Sequence, residues 1–166
     1  MIFVTVGTHE QQFNRLVKYI DELKGSGKIE EDVVIQTGYS TYEPVNCQWS
    51  KFFTYDEMND YVSKARIVIT HGGPSSFIAA LQVGKIPIVV PRQTEFDEHV
   101  NNHQVDFCEA VQKRHGNILV VKDIIQLGNT IKQYDELVDA MPTNIKSNNA
   151  EFCRELERIV GEVLKR

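Results

Sequence analysis

Short apolar runs alternate with amphipathic stretches along most of this chain. The first run, residues 2–6, is rich in β-branched side chains, and the stretch after it repeats apolar residues at helical spacing, which predicts a strand and then a helix ending at residues 25–27. Similar patterns predict strands at 33–35, 51–54, 67–70, 86–90 and 118–121, helices at 56–65, 75–83, 100–113, 124–137 and 148–166, and a loop at 39–49. This alternation predicts a single α/β domain over residues 1–166, with a mostly parallel sheet and helices on both faces.

Glycine, histidine and small polar residues follow several of the predicted strands. They occur at Gly7-Thr8-His9, Thr37-Gly38, His71-Gly72-Gly73 and Pro91-Arg92-Gln93. Because ligands of open parallel sheets bind at the carboxyl ends of the strands, this pattern predicts a binding site along one edge.

The turn after the strand at 67–70 has the features of an anion site. A glycine turn that feeds a helix beginning at Pro74 brings backbone N–H groups to a helix N-terminus, where the helix dipole favours negative charge. Glycine also allows the backbone to approach a ligand closely. We therefore predict a phosphate site, although a turn that only reverses the chain has the same pattern. The predicted site consists of His71, Gly72, Gly73, Ser75 and Ser76.

A polar segment at 93–104 follows the next strand and is dense in side chains that hydrogen-bond hydroxyl groups. Two other interpretations stay open. Asp97 and Glu98 could cap the helix expected near residue 100. His99 and His103, four residues apart, could bind a metal ion, but the segment lacks the glutamate of an HExxH motif and signals no third ligand.

The end of the first strand is the third candidate. Gly7 and Thr8 would face the phosphates from the opposite side of the cleft, and His9 or Glu10 could be a general base. Histidine titrates near neutral pH, and burial raises the pKa of a glutamate. Alternatively, Thr8 caps the following helix and Glu10 complements its dipole.

Composition narrows the class of protein. The net charge of −5 argues against a general nucleic-acid binder. No apolar run approaches the ~18–20 residues of a membrane span, and no basic region precedes the first apolar run, so we expect neither a membrane helix nor a signal peptide. The three cysteines form no metal-binding pattern, which favours reduced thiols in the cytoplasm; they are Cys47, Cys108 and Cys153.

Four segments together resemble the donor-binding domain of GT-B nucleotide-sugar glycosyltransferases, of the family 28 C-terminal type. Within it, they are similar to the small bacterial exopolysaccharide and capsule subunits related to eukaryotic Alg13. The segments are 4–10 (VTVGTHE), 70–73 (THGG), 84–87 (GKIP) and 101–104 (NNHQ). The resemblance implies a Rossmann-like domain, the C-terminal half of a GT-B fold, that binds a UDP-sugar. It places the donor sugar beside the polar segment, with contacts expected from Gln93, Glu95, Asp97, Glu98 and Gln104.

The resemblance also implies a reaction and a partner. The chain would be the catalytic subunit that transfers a hexose, with galactose in a β-1,4 linkage suggested, to a lipid-linked saccharide in exopolysaccharide or capsule synthesis. A GT-B enzyme has two Rossmann-like domains and this chain has the length of one, so a membrane-anchored, Alg14-like partner is expected at the inner face of the membrane. The helix at 148–166 would pack on its own sheet or on that partner.

Two features qualify the resemblance. Many GT-B enzymes bind the ribose of the donor through a glutamate at the position where this chain has Ala79. Other residues must therefore bind the ribose here. No DxD motif occurs, and neither a metal nor a cofactor is expected. Two alternative functions are a non-catalytic binding or enhancer subunit and half of a nucleotide-sugar epimerase.

Overall fold

A six-stranded parallel sheet forms the centre of the protein. The computed structural model describes residues 1–141 and, beyond them, only Arg154, Glu157 and Arg158. The strands lie in the order β3-β2-β1-β4-β5-β6, and each neighbouring pair is parallel. They are β1 (Ile2–Thr5), β2 (Val33–Gln36), β3 (Gln48–Ser50), β4 (Ile67–His71), β5 (Ile88–Val90) and β6 (Leu119–Val120).

Helices cover both faces of this sheet, as predicted. They are α1 (Asn14–Gly25), α2 (Tyr55–Lys64), α3 (Pro74–Gln82), α4 (His103–His115), α5 (Leu127–Lys132) and α6 (Tyr134–Asp139). Successive side chains of a strand point to opposite faces. Val4 of β1 therefore packs in a cluster with α1, α5 and α6, whereas Phe3 packs with α2 and α3. Val89 of β5 packs with α3 and α4.

Two predicted elements differ from the structure. The strand predicted at 51–54 is wrong, because β3 lies a few residues earlier and Thr54 caps α2 in a capping box with Glu57. The single helix predicted at 124–137 is instead a 3-10 turn followed by α5 and α6, with a break at Gln133. The helix predicted at 148–166 lies outside the described residues except for the three named above, which are helical.

The Gly84-Lys85 pair has a structural role. Lys85 donates hydrogen bonds to the carbonyls of Val62, Ser63 and Ala65, at the C-terminal end of α2. A cation is stabilised there by the helix dipole and satisfies carbonyls that lack intrahelical donors. Gly84 turns the chain in the left-handed region, with a φ of 76°. Gly84 and Lys85 of the GKIP segment therefore fix α2 against the sheet. They lie away from the strand ends that carry the candidate site.

Candidate functional site

A cleft of about 430 Å³ opens at the carboxyl edge of the sheet, between the ends of β1 and β4. The strand order reverses between these two strands, and ligands of doubly wound sheets bind at such a switch point. The fold brings together six of the residues predicted from two distant segments of the chain. These are Gly7, Thr8, His9, His71, Ser75 and Ser76.

His71 occupies the floor of the cleft between two glycines. A Cβ added at Gly7 would lie 2.4 Å from His71 Cε1, and one added at Gly73 would lie 2.2 Å from His71 Nε2. Both glycines therefore make room for the imidazole. A side chain at Gly73 would displace His71 first and would not simply block a ligand.

Burial sets the protonation state of His71. Only 8% of the residue is exposed, and burial, followed by the positive charge of Arg92, lowers the pKa of His71 to about 4. The imidazole is therefore neutral at pH 7. Its Nδ1 atom has no hydrogen-bond partner among the described residues, so the ring has hydrogen-bonding capacity that the protein itself does not use.

Gln104 fixes the shape of the glycine turn. Its Oε1 atom accepts hydrogen bonds from the backbone N–H of Gly72 and of Arg92, each at 3.1 Å. A Cβ at Gly72 would lie 2.9 Å from the Gln104 side chain. The Gly72 amide predicted to hold phosphate is thus bonded within the protein. At the N-terminus of α3, the Ser76 N–H donates to the Gly73 carbonyl at 3.1 Å, so the donors that remain there among the described residues are the Ser75 N–H and the hydroxyls of Ser75 and Ser76. The sugar contact predicted for Gln104 stays a prediction.

Glu98 is fully buried and serves the fold. Its carboxylate accepts two hydrogen bonds from Arg15, at 2.9 and 2.8 Å, and a third from the Gln93 backbone at 3.0 Å. Both of its oxygens therefore have protein partners. Its contact with a donor sugar stays a prediction.

Two of the other predicted sugar contacts line a different cleft. Gln93 and Glu95 line a neighbouring cavity of about 400 Å³ together with Arg15 and Phe96. Asp97 is exposed and has a φ of 54°. The structure therefore does not bring the polar segment into the cleft between β1 and β4, and its contact with a donor sugar stays a prediction.

Neither alternative interpretation of the polar segment agrees with the described residues. Helix α4 begins at His103, so Asp97 and Glu98 do not cap it. The rings of His9 and His99 lie 4.9 Å apart, and those of His99 and His103 lie 4.5 Å apart. Even so, the described part of the chain contains no group of three histidine, cysteine or acidic side chains arranged to hold a metal ion.

The structure distinguishes the two candidate general bases. His9 Nδ1 accepts a hydrogen bond of 3.2 Å from the Gln11 backbone N–H, which leaves Nε2 as the donor atom of the ring. Glu10 is exposed and does not line the cleft. Helix α1 begins at Asn14, so Thr8 does not cap it and the helix-cap interpretation of this segment is wrong.

Several residues of the cleft were not predicted as site residues. Thr5 donates a 2.6 Å hydrogen bond to Gln36, and both side chains line the cleft. Phe53, Tyr55 and Met58 form an apolar wall, with Tyr55 80% exposed. The sequence signal for this wall was the capping box at Thr54, which ends the loop and begins α2 beside the cleft.

The polypeptide has recognisable relatives. The family model described as "Glycosyltransferase family 28 C-terminal domain" matches residues 1–156. The "UDP-N-acetylglucosamine transferase subunit ALG13" of Yarrowia lipolytica is 34% identical over 91 residues, covering 52% of this chain and 43% of the relative. The human protein of the same name is 29% identical over 121 residues, covering 68% of this chain and 10% of the relative.

A bacterial relative comes from Bdellovibrio bacteriovorus. It is a "UDP-N-acetylglucosamine--N-acetylmuramyl-(pentapeptide) pyrophosphoryl-undecaprenol N-acetylglucosamine transferase", 31% identical over 143 residues, or 76% of this chain and 38% of the relative. The chain thus spans less than half the length of each curated relative described here.

Solved glycosyltransferase structures share the fold. CalG4, the calicheamicin glycosyltransferase, superposes with a TM-score of 0.62 at 16% identity, covering 98% of this chain and 43% of that one. The spinosyn forosaminyltransferase SpnP superposes with a TM-score of 0.59 at 18% identity, covering 99% and 42%. The single α/β domain therefore has the fold of the C-terminal half of GT-B glycosyltransferases, as the sequence predicts.

Proposed function

This chain belongs to the glycosyltransferase family 28 C-terminal domain family, and we propose that it is the donor-binding, catalytic subunit of a two-component UDP-sugar glycosyltransferase. The observation that carries the proposal is the cleft at the switch point. There, the N-terminus of α3 and the neutral His71 meet the end of β1. Calorimetric titration of the chain with UDP and UDP-sugars tests this assignment.

The cleft has distinct regions that suit the parts of a UDP-sugar. Ser75 and Ser76, in the first turn of α3, would bind the diphosphate through the Ser75 N–H and the two serine hydroxyls, because these groups have no partner among the described residues and the helix dipole favours an anion. Phe53 and Tyr55 offer aromatic surface for the uracil base. With Ala79 unable to hydrogen-bond ribose, Gln36 is the polar side chain between these two regions that we assign to it.

The reaction would be displacement at the anomeric carbon by an acceptor hydroxyl, with inversion. The α3 N-terminus would stabilise the negative charge that develops on the departing diphosphate. Because Nδ1 of His9 is bonded to the Gln11 backbone, we assign its Nε2 as a hydrogen-bond donor to the UDP-sugar. Glu10 is then the candidate general base, acting on an acceptor presented from outside the cleft.

The sugar, the acceptor and the partner are proposed from the relatives and from the resemblance. Three relatives are named as N-acetylglucosamine transferases or as a subunit of one, which favours N-acetylglucosamine over the galactose that resemblance to capsule enzymes implies. Among the described helices, none is long and apolar enough to cross a membrane. Because two relatives are named as subunits of a transferase, we propose that an Alg14-like, membrane-anchored partner presents a lipid-linked saccharide at the inner membrane face, in polysaccharide synthesis.

We expect transfer by the reconstituted pair to persist in excess EDTA. The sequence has no DxD motif, and the proposed mechanism assigns charge stabilisation to backbone amides and the helix dipole. The measurement is transfer of radiolabelled sugar from a UDP-sugar to a lipid-linked acceptor, with and without EDTA. Loss of transfer on chelation that manganese or magnesium restores would contradict the mechanism.

A further inference from the structure

The guanidinium of Arg92 is fully buried and bonds almost entirely to backbone carbonyls. Nη1 donates to the carbonyls of Gln11 and Gln12 at 2.9 Å each and to that of Glu98 at 3.2 Å. Nη2 donates to the Val6 carbonyl at 3.0 Å. The group therefore joins the loop after β1 to the loop after β5.

These contacts hold both ends of the segment at 7–10, the candidate segment that follows β1. Val6 immediately precedes Gly7, and Gln11 immediately follows Glu10. The four residues between the fixed carbonyls are the four that the sequence predicts to face donor and acceptor. Gln12 adds a link of its own, because its Nε2 donates to the Phe96 carbonyl at 3.0 Å.

Burying this cation is costly, and the protein compensates for it in an unusual way. The nearby Glu98 carboxylate bonds to Arg15, so Arg92 has carbonyl oxygens and the face of the Phe13 ring, 4.8 Å from its Cζ, as partners. Its Nε atom has no partner among the described residues. Burial lowers the pKa of Arg92 to about 10, which leaves it charged at pH 7. A buried charge without a bonded counter-ion lowers the stability of the fold. Stability alone therefore does not account for Arg92, which points to a second role for this residue.

We infer that Arg92 is the positioning residue that sets the conformation of residues 7–10 for donor binding, without touching the donor itself. This inference rests on the proposed function. Because the guanidinium is fully enclosed, its influence on a ligand passes through the loop it holds and through its charge near His71. The planar fork of arginine can hold several carbonyls at once, whereas the ammonium of lysine is a compact point charge.

The experiment compares two variants that separate geometry from charge. Arg92→Lys keeps the positive charge but loses the fork, and Arg92→Met loses both. UDP affinity is measured by calorimetry, and the pKa of His71 by NMR titration of its imidazole. We expect UDP affinity to fall about tenfold or more in both variants. The pKa of His71 should stay near 4 in Arg92→Lys and rise in Arg92→Met, because the repelling charge is gone, while burial still holds it below 6.5.

The matched control is Arg66→Met. Arg66 is ion-paired to Glu31 and Asp135 at the other end of the sheet, so its loss should lower thermal stability and leave UDP affinity unchanged. Wild-type UDP affinity in folded Arg92→Lys overturns the inference, and this variant carries the test even where Arg92→Met does not fold. Absence of UDP binding by the wild-type chain instead overturns the donor assignment, and with it the role of Arg92 in it.

Discussion

Replacing Gly7 with alanine should abolish most UDP binding and destabilise the fold by about 2–5 kcal/mol. Gly7 has a φ of 74°, where an L-residue costs about 1–2 kcal/mol. The new Cβ would also lie 2.4 Å from the His71 ring, and crowding of this kind costs about 1–3 kcal/mol. Relief requires the ring to move out of the floor of the cleft, so we expect a fall in UDP affinity of about tenfold or more.

The chain offers a matched control for this change at Gly27. Its φ of 72° is nearly the same, but a Cβ there would meet nothing within 4 Å. Gly27→Ala should therefore show only the backbone cost of about 1–2 kcal/mol and bind UDP like the wild type. Chemical denaturation measures the free energy of unfolding, and calorimetry measures UDP binding. Equal effects of the two substitutions would show that the packing of Gly7 on His71 has no part in donor binding.

The isolated chain should bind UDP but transfer sugar very slowly, and a partner subunit should raise the rate about 100-fold or more. The cleft is open to solvent at the carboxyl edge, and Glu10 is exposed and does not line it. Holding the acceptor in place and excluding water supply much of the rate in transferases. A second Rossmann-like domain closing on this edge would provide both.

The measurement is the transfer rate with and without the co-expressed, membrane-anchored partner, at equal donor concentration. Glu10→Gln is the informative variant, because it should lose the partner-stimulated rate while UDP affinity stays unchanged. Transfer to a lipid-linked acceptor by the purified chain at the rate of the pair would contradict the two-component proposal.

The pattern of apolar residues was sufficient to predict most of the sheet. Strands β1, β2, β4 and β5 are buried on both faces, so they appear in the sequence as short continuous apolar runs. Strand β3 lies at the edge and packs mainly through Trp49, so its three residues gave no such signal. The neighbouring Phe52 and Phe53 did, although both belong to the loop that leads to α2.

The position of the cleft was predictable, but the hydrogen bonding inside it was not. Glycine turns at strand ends locate the binding edge through topology alone. Whether the Gly72 amide is free depends on Gln104, which is 32 residues away, and the shape of the loop after β1 depends on Arg92, about 80 residues away. No local pattern encodes partners that meet only in the folded chain. For the same reason, no sequence pattern showed that the Glu98 carboxylate is bonded to Arg15.

Calorimetric titration of the isolated chain tests the central claim most directly. The ligands are UDP, UDP-N-acetylglucosamine, UDP-galactose and UDP-glucose, with Gly7→Ala as the variant and Gly27→Ala as its control. We predict saturable, single-site binding of UDP that persists in EDTA and tighter binding of UDP-N-acetylglucosamine than of the other two UDP-sugars. Of the two variants, only Gly7→Ala should bind UDP about tenfold or more weakly than the wild type. Absence of saturable binding of UDP and of all three UDP-sugars at concentrations up to about 1 mM would contradict a donor site in this cleft.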